Sequence, residues 1–323
     1  MRGAQRRRGL EFVAWAGAPL CVAWLAPDYY LLASQVAAMA LFAMSLDLLI
    51  GYAGMLSLGH ALFFGLGAYT AGILAAHGWG EPLSGLLAGG GVAALAGYIT
   101  GFAVVRVRHL AQLMVTLGIS LLVFEAASRW RSLTGGDDGL HGMVIWPLFG
   151  IFEFGLDGET AFAYGYAVLL VCFMVFTRIT DSPFGLALRG LHENPQRAAA
   201  LGTPVASRLH GAYVMAAAFA GVAGALLAQT TQFVSLETLG FHLSADVLVM
   251  LVLGGAGYRY GGVLGAALFV VARDILADLS PAFWQFGLGL AMVAIVLFAS
   301  GGIFGRLAMR PRASLGCQKE GEL

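Results

Sequence analysis

Few side chains in this sequence could do chemistry, and most of those sit in apolar surroundings. Asp47, Glu125, Asp246 and Asp274 interrupt hydrophobic runs. A carboxylate at mid-bilayer costs at least about 2–3 kcal/mol, so a deep acid is a candidate for proton or ion handling. Glu125, in Leu121-Leu-Val-Phe-Glu125-Ala-Ala, reads as the deepest; the other three reach helix ends if a boundary shifts by a few residues. The histidines at 60, 77, 109, 141, 192, 210 and 242 are scattered over loops and helix ends. No H-E-x-x-H, C-x-x-C or G-x-S-x-G occurs, and Cys21, Cys172 and Cys317 lack ligand spacing. The only lysine, Lys319, stands in Gln-Lys-Glu near the end, so the G-x-x-x-x-G-K-[ST] phosphate loop is missing. No catalytic residue, metal or cofactor is expected, and the chain does not read as an enzyme. No nucleic-acid partner is expected either.

What remains are two polar interruptions in apolar sequence. The first is Gly51-Tyr-Ala-Gly54-Met-Leu-Ser57-Leu-Gly59-His60-Ala-Leu-Phe-Phe-Gly65-Leu-Gly67-Ala-Tyr69. Broken helices at membrane depth need protein or a watery cavity to satisfy the freed backbone. Gly51, Gly54, Ser57, His60, Gly65, Gly67 and Tyr69, with Glu125, are therefore candidates for a translocation path. A tightly packed helix pair with a polar loop is the other reading. The second runs from Asp181-Ser-Pro-Phe184 to Leu201-Gly202. Ser182-Pro183 can start a short helix, Leu186, Leu188 and Leu191 give it an apolar edge, and Gly202 can end it. Phe184, Leu188, Arg189, Glu193 and Arg197 suit docking on a cytoplasmic partner or, equally, on anionic membrane lipid.

The elements that must position these residues are membrane helices. The chain has 323 residues, 59% hydrophobic and 11% charged, with a mean hydropathy of +0.81. Soluble domains carry about 25% charge, so the bilayer has to be the solvent. Ten apolar runs are long enough to be spans, at roughly 12–27, 30–50, 55–77, 83–105, 110–127, 161–179, 209–229, 244–256, 261–277 and 283–304. The alternation of an outer-membrane barrel is missing. The fold expected is all-α: one polytopic domain over 1–323 with Gly-interrupted helices. Phe12–Ala26, behind an arginine cluster, is read as the first span and not a cleaved signal, with Pro27 directly after Ala26.

Of the 18 basic residues, all but Arg129, Arg131 and Arg273 fall on one side if the N-terminus is inside. That is the bias of a bacterial inner-membrane chain. It gives a cytoplasmic arm (1–11), an external loop (128–160) holding Asp137, Asp138, Glu153, Asp157 and Glu159, a cytoplasmic loop (180–208) and a cytoplasmic tail (306–323). Leu48–Gly54 and Leu251–Gly257 form similar helix–glycine–helix hinges, as an internal repeat would. Pairs such as Gly85/Gly89 and Gly97/Gly101 suit close helix packing.

At these residues the sequence resembles the LivM-type permease subunits of branched-chain amino-acid ABC importers. Gly51 to Tyr69 resembles the family's G-Y-A-G-x-L-S-L-G-H-A-x-F-F-G-x-G-A-Y, and Trp130 to Leu140 its W-R-S-x-T-G-G-x-D-G-L. Leu188 to Gly202 and Val252 to Ala266 resemble two further motifs, and the matches cover about 45 to 305. The resemblance implies a second permease subunit of the same family, two ATP-hydrolysing subunits in trans and a periplasmic substrate-binding protein. It makes the 180–208 loop the coupling element, with Arg189, Glu193, Asn194 and Gly202 on the family pattern. Two departures stand out: alanine in Arg197-Ala-Ala-Ala-Leu-Gly where many relatives carry an acid, and Pro195 inside the helix. The alternative is a proton-coupled secondary carrier using Glu125, Asp47 or Asp246.

Overall fold

The computed structural model describes residues 29–107, 110–148, 150, 152–155, 158–279, 283, 285–287 and 289–290. The main helices there are α1 (Tyr30–Asp47), α2 (Ala61–Ala76), α3 (Pro82–Val104), α4 (Leu110–Arg129) and α5 (Glu159–Thr180). They continue with α6 (Pro183–Glu193), α7 (Val205–Thr231), α8 (Phe241–Gly254) and α9 (Gly261–Leu279). The all-α membrane architecture is as expected. Helices α1–α5 and α7–α9 coincide with the apolar runs between 30 and 277. The run at 12–27, and all but a few positions of that at 283–304, lie outside the described residues.

Five of these helices are long and apolar enough to cross a membrane: α1 with its extension to Ala53, α3, α4, α5 and α7. Two shorter apolar helices are α2, with 16 residues, and α8, with 14. Each adjoins irregular backbone carrying glycine, so the runs read at 55–77 and 244–256 are each part helix, part coil.

Helix α1 is the centre. Every residue from Ala40 to Leu49 is buried, as expected of a helix apolar on all sides. Helices α5, α7, α8 and α9 pack around it. Helix α4 lies at the periphery and is built inside out: only Gln112, Thr116 and Ser120 are buried, while Leu110, Met114, Leu121 and Leu122 are exposed. A helix whose apolar face meets lipid turns its i, i+4 polar stripe inward.

The tightest packing is between α3 and α7. Gly85, Gly89, Ala93, Gly97 and Gly101 on α3 meet Gln229, Ala225, Gly221, Ala217 and Tyr213 on α7, in that order. Each four-residue step forward on one helix matches a step back on the other, which is an antiparallel small-residue seam. Lipid supplies no hydrophobic force between helices, so close backbone approach does the work. Helix α2 closes the group: Gly67 lies against the Gly221 backbone and Gly224 against Phe64 O. One end of the trio is tied by Gln229, whose Nε2 donates to Pro82 O (2.8 Å) and whose Oε1 accepts from Tyr164 OH (2.7 Å).

Candidate functional site

The break after α1 begins as a wider π-helical turn, Leu48–Ala53. It ends at Gly54, in the left-handed region at φ 70°, and Met55 N–H donates back to Leu49 O (2.9 Å). From there to His60 the chain is not helical, and Met55, Ser57 and Gly59 face inward. Two of the backbone donors this frees are met by neighbouring helices. Leu58 N–H donates to Thr116 Oγ1 of α4 (3.3 Å), and Ala61 N–H to Ser244 Oγ of α8 (2.9 Å). The inward stripe of α4 thus serves the broken segment, and Gly59 lies directly on the Thr116 backbone.

His60 is fully buried beside this stretch, stacked on Phe42 (5.6 Å between centroids) and edge-on to Phe63 (5.7 Å). Ser45 Oγ donates to Phe42 O (2.6 Å), which uses its one hydrogen. Its 2.9 Å contact with His60 Nε2 is then Nε2–H donating to Ser45. That tautomer leaves Nδ1 as a lone-pair acceptor. Among the described residues, neither His60 Nδ1 nor buried Ser57 Oγ has a hydrogen-bond partner. Ser45, Ser57, His60, Thr116 and Ser244 form a polar seam inside an apolar bundle.

A second cluster lies at the hinge. Asp47, buried at the end of α1, accepts Gly257 N–H on Oδ1 (2.7 Å), and Gly51 packs against the Gly257 backbone with no room for a Cβ. The two glycine hinges read from the sequence therefore touch. Helix α6 docks beneath them. His192 Nδ1–H donates to Gly51 O (3.1 Å), and the Arg189 guanidinium lies over the Tyr52 ring (4.9 Å). Arg259, just past the second hinge, reaches both carboxylate oxygens of Asp181 at the start of the α6 loop (2.6 and 2.7 Å).

Residues 29–299 match the family described as branched-chain amino acid transport system / permease component. The chain belongs to this permease family. The high-affinity branched-chain amino acid transport system permease proteins LivM of Salmonella typhimurium and Escherichia coli are each 32% identical to it, over 80% of this chain and 66% of theirs. The match thus spans just under two thirds of those relatives. A probable branched-chain amino acid transport permease LivH from Methanocaldococcus jannaschii is 24% identical, over 60% of this chain and 63% of its own. No solved structure matches the chain.

The permease's expected site residues fall into distinct places. Ser57 and His60 join the polar seam, while Gly51 and Gly54 lie at the hinge beside His192. Gly65 packs on Leu239 and Gly67 on α7, both as contact points between elements. Tyr69 is buried, its hydroxyl without a partner among the described residues. Glu125 stands apart: its side chain is 58% exposed and bonded to Arg129 one turn on (2.7 Å). In the α6 loop, Leu188 is fully buried against the bundle, and Phe184 packs on α7 beside Gly211 with Arg208 over its ring (5.6 Å). Arg189, Glu193 and Arg197 are exposed, as are Leu186 and Leu201.

The helix expected from 184 to 202 is two helices. Asn194 is extended at φ −157° and caps the next turn, Pro195–Ala200, by accepting Arg197 N–H (2.9 Å). Pro195 is therefore a first-turn proline, where its missing N–H costs nothing. Gly202 closes the segment at φ 85°. The sequence reading missed Ser45, Thr116, Ser244, His192 and the Asp181–Arg259 pair. The i, i+4 polar stripe Gln112-Thr116-Ser120 was the one signal available for any of them.

Proposed function

We propose that the chain is the membrane permease subunit of an ATP-driven importer of branched-chain amino acids or a similar small solute, and not itself an enzyme. The observation that carries this reading is the meeting of the polar seam and the α6 loop at one glycine junction. Helix α6, between spans and partly exposed, holds His192 on the same hinge from which the broken segment starts. A push on that loop has a direct route to the membrane interior. The relatives' role in branched-chain amino acid transport supports the solute class.

The partners on this reading are a second permease of the family, two ATPase subunits and an external solute-binding protein. Both termini and the 180–208 loop are cytoplasmic, and 128–160 is external. The arginine bias supports this orientation, and the exposed Trp79, Trp130 and Trp146 suit a membrane–water interface. Leu186 and Leu201 are the apolar groups left outward for the ATPase, while Phe184 and Leu188 hold the loop onto the bundle.

The purified chain alone should neither bind nor hydrolyse ATP, since no phosphate-loop lysine exists to hold the phosphates. Co-expressed with its ATPase subunits it should co-purify with them, and the complex should hydrolyse ATP. Turnover by the rigorously isolated chain, or no association with an ATPase, would contradict this function.

A further inference from the structure

Three segments far apart in sequence close into a ring at the hinge. The α5–α6 turn reaches the second hinge through Asp181 and Arg259. The second hinge is bonded to the first through Gly257 N–H and Asp47, and the first is bonded back to α6 through Gly51 O and His192. Each link uses a different chemistry: an ion pair, a backbone donor on a buried carboxylate, and an imidazole on a carbonyl. Gly51 and Gly257 lie so close that a Cβ on Gly51 would overlap the Gly257 backbone.

We propose that this ring is the chain's transmission joint, with Asp47, Asp181, His192 and Arg259 as positioning residues that make α6 and both hinges move as one body. The inference rests on the ATP-driven reading above and adds which contacts carry the force. The start of α2 and the end of α8 each hang from one hinge, and Ser244 of α8 is bonded to Ala61 N–H at the head of α2. Movement of the joined hinges therefore bears on the polar seam from two sides. A side chain outside the seam can then govern whether ATP hydrolysis produces transport.

The test uses the whole complex in proteoliposomes with its binding protein, and radiolabelled leucine as the probe. The readout is ATP hydrolysed per leucine taken up, at equal amounts of assembled complex. Asp181→Arg and Arg259→Asp should each raise that ratio roughly fivefold, and the double variant should return it toward wild type, as a directly interacting pair does. Should a reversal fail to assemble, Arg259→Gln removes the charge more gently and should raise the ratio in the same direction. Asp47→Asn keeps an acceptor oxygen for Gly257 N–H and should stay close to wild type, whereas Asp47→Ala should uncouple. Unchanged ratios in the single variants, or no rescue in the double, overturn the joint. Wild-type uptake that proceeds without ATP overturns the ATP-driven reading and the joint together, and loss of uptake in Asp47→Asn would then mark a proton-carrying acid.

Discussion

Gly224→Val is expected to remove the protein from the membrane fraction. A Cβ at position 224 would sit on Phe64 O, with Ala68 N and Phe64 C also within 3.0 Å. These are backbone atoms of α2, so no side-chain rotation relieves the clash, and the helices must separate. Separation also opens the neighbouring Gly67–Gly221 contact and the α3–α7 seam built on the same face of α7. Overpacking alone costs about 1–3 kcal/mol, and here the lost interface adds to it. Against a total stability of about 5–15 kcal/mol that is a large share. Gly91→Val is the control, since nothing lies within 4 Å of its Cβ position. Detergent-extracted, monodisperse protein should be nearly absent for Gly224→Val and close to wild type for Gly91→Val. Equal yields would show that the α2–α7 crossing is looser than described.

The second large effect is expected in the α6 loop. Gly202→Pro should insert normally and lose transport. Position 202 sits at φ 85° and its N–H donates to Ala199 O (2.9 Å). Proline is fixed near φ −65° and has no N–H, so the loop must re-form. Gly202→Ala keeps the donor and pays roughly 1–2 kcal/mol for the left-handed backbone, so it should be milder. Phe184→Ala should also lose transport. Its ring holds the start of α6 against Gly211 and Arg208 of α7, so truncation loosens the loop from the bundle and leaves the outward Leu186 and Leu201 in place. An ATPase pull-down separates the cases: Phe184→Ala should still capture the ATPase, and Leu201→Ala should capture less. Normal uptake by both Gly202→Pro and Phe184→Ala would make the segment a lipid-surface helix only.

Much of the fold was legible because lipid leaves the backbone one solution, the helix, and long apolar runs mark it. The break after α1 was legible for the same reason: Gly51, Gly54 and Gly59 interrupt an apolar run where no soluble loop would fit. The partners of that break were not. Thr116 and Ser244 serve it from helices far along the chain, and nothing local in sequence encodes which helix will lie opposite. The two glycine hinges look alike, yet that likeness says nothing about contact; the bond from Asp47 to Gly257 N–H does. Glu125 reads as deep because Leu121 to Phe124 precede it, but α4 runs on to Arg129, which brings an ion-pair partner one turn away. Half of the α3–α7 seam was visible as glycine spacing. The α7 half uses Ala217 and Ala225, which do not stand out in so alanine-rich a helix.

The most direct test of the central claim, that ATP hydrolysis in trans drives solute through this permease, is leucine uptake by proteoliposomes holding the whole complex. ATP and an imposed proton gradient are supplied in separate experiments. Uptake is expected with ATP inside and binding protein outside, at a rate the proton gradient leaves unchanged. Uptake that follows the proton gradient and ignores ATP would contradict it.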